Sequence, residues 1–106
     1  MISKPVADES MVKPYPASGY TAGAISKTLA QNQEIDGKKI LLKASCMFTH
    51  PTQDSDEVTL EPQQDTAIQI ENDSVLREGD QAEGDYGNIL KIDPGQTKVE
   101  SDTIDQ

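Results

Sequence analysis

The residues of this chain best suited to chemistry are Cys46 and His50, in the stretch SCMFTH. A thiolate and an imidazole at C-x3-H spacing are both zinc ligands, and a closed structural site needs four such groups. The chain holds one Cys and one His, so carboxylates such as Asp54 or Asp56, water or a second molecule would have to complete the shell. Cys46 and His50 are therefore the candidate metal ligands and zinc the candidate cofactor. The competing expectation is a small buried Cys and a loop His ahead of Pro51. Asp54, Asp56 and Glu57 in DSDEVTLEPQQD lie close together, yet they lack the central Gly and distal Glu of a calcium loop. That stretch is expected to be a solvated loop. In REGDQAEGDYGN, Gly79-Asp80 and Gly84-Asp85 are expected to form tight turns whose Asp side chains cap backbone N–H groups.

Catalytic patterns are missing from the sequence. There is no G-x-S-x-G elbow, no phosphate loop and no G-x-G-x-x-G. An enzymatic reading would rest on His50 alone, with no substrate class attached, so the chain is expected not to be an enzyme.

The elements that would position these residues read as β. Ile35-Asp36-Gly37-Lys38-Lys39-Ile40-Leu41 aligns without a gap on Ile70-Glu71-Asn72-Asp73-Ser74-Val75-Leu76, an offset of 35 residues (70 − 35). In both copies polar turn residues are framed by aliphatics. Gly37 can take the positive φ that a tight hairpin requires, and Asn72, the next most tolerant residue type, stands in its place in the second copy. Such a repeat predicts a small β-unit used twice, in two stacked layers; chance likeness between two good hairpins is the alternative. The rows Ile35/Ile40/Leu42 and Ile68/Ile70/Val75 are the expected core. EVTLEP alternates Val58 and Leu60 as a strand does, and NILKIDPGQTKVES reads as a third hairpin turning at Asp93-Pro94-Gly95-Gln96. TAGAISKTLAQNQ, residues 21–33, is expected to be extended or to contain a short turn.

Three regions follow. Residues 1–20 are expected to be an irregular arm, because Pro5, Pro14 and Pro16 forbid a helix. Residues 21–100 would form the β domain, and residues 101–106 an acidic tail that frays.

Composition narrows the partners. With 19 acidic and 9 basic residues the net charge is −10, so nucleic acid and anionic membrane surfaces are disfavoured. Hydrophobic residues make up 34% and there is no Trp. So thin a core points to a module that relies on a larger partner. No apolar run is long enough to span a membrane, and MISKPVADES has no apolar secretion core. Synthesis in the cytoplasm is expected, with any export by another machine.

Between residues 13 and 90 the chain resembles the PAAR-like proteins that carry a Pro-Tyr-Pro segment. The residues carrying the likeness are Pro14, Tyr15 and Pro16, then Ile35, Gly37, Lys38 and Ile40, then Leu42, Lys43, Ser45 and Phe48, with IENDSVLREGD as a second unit. The resemblance implies an all-β domain of short hairpins stacked into a small tapered prism or cone. It implies a protein that caps the trimeric β-helical spike of a contractile injection machine, such as a type VI secretion system or a phage tail. One tip would sit on each spike trimer, sharpening it for envelope piercing and sometimes carrying an effector. It would be assembled or delivered as part of the injection particle. The Pro-Ala-Ala-Arg motif of the wider family is absent, and Cys46 and His50 are the only residues here that match its tip-metal set. A different expectation follows from charge alone: a small acidic adaptor or chaperone-like module covering a basic surface of a secreted effector.

Overall fold

A computed structural model describes residues 3–104. The fold is all-β, with ten strands and no helix among the described residues. They are β1 (Ser3–Pro5), β2 (Val12–Tyr15), β3 (Thr21–Ile35), β4 (Lys38–Thr49), β5 (Asp56–Leu60), β6 (Gln69–Ile70), β7 (Asp73–Ser74), β8 (Gln81–Glu83), β9 (Ile89–Ile92) and β10 (Glu100–Asp102). Four antiparallel sheets result, ordered β1-β10, β2-β9-β8, β3-β4-β5 and β6-β7.

The repeated motif forms two equivalent turns. Ile35 pairs with Lys38 across Asp36-Gly37, and Ile70 pairs with Asp73 across Glu71-Asn72. Both central residues of each turn have positive φ: 53° and 82° in the first, 54° and 71° in the second. That is the signature of the two-residue turn whose twist matches the strands it joins. Gly37 and Asn72 therefore play the same part, as their alignment predicts. Aligned aliphatics also share environments. Ile35, Ile40 and Val75 are buried together with Val6 and Ala30, with Leu42, Ile68, Ile70 and Val99 packed on them. The expected core rows thus form one cluster, and it is the smaller of two.

The larger cluster includes Met11, Leu41, Phe48, Leu60, Leu76, Leu90 and Ile92. Ala7, Met11, Val12 and Tyr20 contribute to it from the segment expected to be an irregular arm. That arm is instead part of the body: β1 pairs with β10 and β2 with β9. Proline is compatible with this because β2 is an edge strand, where one missing N–H disturbs no second ladder. The acidic tail is likewise ordered where it is described, since Glu100–Asp102 is β10 and Thr103 bridges Thr66. Asp105 and Gln106 lie outside the described residues.

The third hairpin does not form. β9 already has β2 on one edge and β8 on the other, so β10 cannot pair with it. The chain from Asp93 to Val99 crosses to β1 instead. Gln96 fastens this crossover: its Nε2 donates to the carbonyls of Val6 and Val99, both at 2.8 Å, and its Oε1 accepts from the N–H of Lys98 and Val99. Gly95 lies so close to Met11 that a Cβ there would meet Met11 Cγ at 2.4 Å. The hairpin of this region is β8–β9, closed by Gly84 N–H on the Asn88 carbonyl at 2.8 Å.

Residues 21–33 are a strand throughout, because β4 supplies a partner that local propensity does not. The ladder is uneven: Gly23 and Ala24 together face Met47, and residues 30–33 bulge opposite Ile40. Val58 and Leu60 alternate inward along β5, as read from the sequence.

The turn chemistry gives a direct test. Beyond the adjoining residues no atom lies within 4 Å of where a Cβ on Gly37 would sit, so Gly37→Ala meets only backbone strain. It should cost about 1 kcal/mol in urea unfolding, while Asn72→Gly should be nearly neutral.

Candidate functional site

Cys46 lies in the middle of β4, between Ile25 of β3 and Val58 of β5, and is 2% exposed. Its Sγ donates to the Gly23 carbonyl at 3.5 Å. Burial pushes the thiol pKa up, only partly opposed by that hydrogen bond, so the group stays a neutral thiol at pH 7.

His50 stands just beyond the end of β4. Its Nδ1 accepts from the N–H of Thr52 at 3.0 Å and of Gln53 at 3.1 Å, so the ring caps the turn that follows. Its ring centroid lies 4.9 Å from that of Tyr20, with the two rings tilted by 57°. Four residues of extended chain span about 13 Å. A thiolate and an imidazole on one zinc ion sit within about 4 Å of each other. The fold therefore does not bring Cys46 and His50 together. Among the described residues no three His, Cys, Asp or Glu side chains are placed to share a metal.

The two carboxylates that might have completed a shell are engaged elsewhere. Asp54 accepts from the Tyr86 hydroxyl at 3.3 Å. Asp56, expected in a solvated loop, is 4% exposed. It accepts from Asp85 N–H and Tyr86 N–H, both at 3.2 Å, and from Asn88 Nδ2 at 2.7 Å. The Asn88 Oδ1 in turn accepts from Ala17 N–H at 2.8 Å. Gly84 crosses so near the Asp56 carboxylate that a Cβ would lie 2.3 Å from its oxygens. Asp56 thus organises the β8–β9 turn around an acceptor. Its importance was not visible in sequence, because its donors come from residues about thirty positions away.

The Gly-Asp expectation holds for one pair. Asp80 Oδ2 accepts from Arg77 N–H at 2.9 Å across a turn in which Gly79 has φ 92°. Burial raises the Asp80 pKa, and the Arg77 hydrogen bond and charge pull it back only in part. Asp85 lends its N–H, not its carboxylate, to the other turn.

Two further surface features stand out. One is the free edge of β3, which pairs with β4 alone and is exposed along most of its fifteen residues. Unpaired strand edges are templates for β-addition. The other is a groove of about 490 Å³ between the β3–β4 sheet and the β6–β7 hairpin, lined in part by Thr28, Leu42, Asp65 and Asp73. Its one cation, Lys43, is already paired with Glu61 at 3.1 Å. Glu71, also on its wall, accepts from Gln31 N–H at 3.1 Å and so covers part of the β3 edge.

Two outcomes check this account. The Cys46 thiol should react with iodoacetamide only as fast as the protein unfolds, and added zinc should not change that rate. Asp56→Ala leaves three donors without their acceptor and should cost about 3 kcal/mol, with faster amide exchange at Asp85 and Tyr86. No protein-family model, curated protein or solved structure matches this chain.

Proposed function

We propose that this chain is a structural docking module: a tip protein that caps the trimeric β-helical spike of a contractile injection machine. The observation that carries the reading is the edge of β3, a fifteen-residue strand with one neighbour, left open except where Glu71 covers it at Gln31. A β-helical spike ends in strands whose last backbone groups lack partners, and edge-to-edge pairing satisfies both surfaces. Support also comes from the two hairpin turns of the repeat, which fall on the residues that carry the PAAR-like resemblance. A thin hydrophobic supply fits a protein stabilised by its partner.

A second reading, the acidic adaptor for a basic effector surface, is favoured by the groove, where Glu61, Asp65, Glu71 and Asp73 outnumber Lys43.

One experiment separates them. The purified chain is mixed with the trimeric β-helical domain of a spike protein encoded beside it, and the mass is read by light scattering. Three spike chains with one copy of this chain are expected, at both low and high salt. No complex at any salt would overturn the tip reading. Binding to a basic effector that disappears at high salt would select the adaptor.

A further inference from the structure

The outward face of the β2-β9-β8 sheet is a grid of two rows. Lys13, Lys91 and Gln81 stand side by side in one row; Tyr15, Ile89 and Glu83 form the next. Val12, Leu90 and Ile92 point the other way, into the core. The first row sets two lysines directly opposite one another. Like charges in that position repel and weaken a sheet. In a chain with 19 acidic residues the opposite choice is easily made, and it is made elsewhere: Lys39 stands opposite Glu34. Neither Lys13 nor Lys91 has an ion pair or hydrogen bond among the described residues, whereas Lys43 and Lys98 are paired with Glu61 and Asp36.

Apolar surface adjoins this row. Tyr15 is 44% exposed, and Asp93 holds its hydroxyl. Tyr15, Ile89, Lys91 and Gln81 enclose a shallow depression of about 240 Å³. A place where a local rule is broken without internal compensation is where an external partner is expected.

We infer that this face is a docking surface for a protein segment that presents two carboxylates to Lys13 and Lys91 and an aliphatic side chain to the depression beside Tyr15 and Ile89. A polyanion fits it poorly. The molecule carries −10 overall, and Glu83 and Asp93 border the face, so a run of phosphates extending past the lysines would meet repulsion. Isolated carboxylates beside an apolar group avoid that conflict. The surface is distinct from the β3 edge, and the inference does not rest on the spike reading.

The test uses the full chain labelled with ¹⁵N and the probe acetyl-Glu-Leu-Glu-amide. Saturable amide shifts are expected at Lys13, Tyr15, Ile89 and Lys91. The double variant Lys13→Gln/Lys91→Gln should weaken binding at least tenfold, Lys13→Arg/Lys91→Arg should keep it, and acetyl-Gln-Leu-Gln-amide should not bind. Shifts spread over all the lysines, or binding that survives the glutamine variant, would overturn the proposal. A second measurement needs no partner. Lys13→Glu replaces the repulsion with an attraction and should raise Tm by about 2 to 4 °C. An unchanged or lowered Tm would remove the charge conflict on which the inference stands.

Discussion

The backbone of residues 5–9 holds the molecule together, because it lies between the two copies of the repeat and bonds to both. Ala7 donates its N–H to the Leu76 carbonyl at 2.9 Å and accepts from Leu41 N–H at 3.0 Å. Leu41 and Leu76 are the same position of the repeat, 35 residues apart. On either side, Glu78 N–H bonds to Pro5 and Glu9 N–H to the Lys39 carbonyl. Buried backbone groups must find partners. Without this segment the inner edges of both units would have none, and neither aliphatic cluster would close. Val6 enters one cluster and Ala7 the other, so the same short stretch also separates the two cores.

A core this small is supplemented by buried polar groups that are hydrogen-bonded. Arg77 is 1% exposed. Its guanidinium donates to the Ser101 carbonyl and Thr103 Oγ1, both at 2.9 Å, and to Gln64 Oε1 at 3.0 Å. These contacts make the C-terminal strand part of the interior and explain why it does not fray. Asp56 does the same for the β8–β9 turn and Asp80 for the turn before β8. Each is a buried polar group whose hydrogen-bond partners are fixed by the fold, an arrangement that specifies geometry as much as it adds stability.

With the interior closed in this way, the surface carries two contrasting regions. The groove beside β6–β7 is rich in carboxylates, while the outer face of β2-β9-β8 sets two lysines together beside exposed apolar groups. The open edge of β3 adds backbone groups available for pairing. Every interaction put forward for this chain is thus one of surface recognition, and each lies on a different part of the molecule.

Local features were legible in the sequence wherever the cause is local. The all-β class, both two-residue turns and the alternation along β5 follow from turn residues and aliphatic spacing, which act within a few positions. The Asp80 turn belongs with them. What the tertiary structure alone decided is which strand found which neighbour. Prolines made residues 1–20 look irregular, yet edge positions accept them. Asp93-Pro94-Gly95 has the residues of a turn, yet β9 had no free edge left for a hairpin. Cys46 and His50 have metal-ligand spacing, but four residues of extended strand hold them too far apart to share an ion. Asp56 looks like a surface carboxylate until Gly84, Asn88 and the β8–β9 turn close over it. In each case the deciding partner lies far away in the chain, and pairing energy gathered over many residues outweighs a preference written into a few.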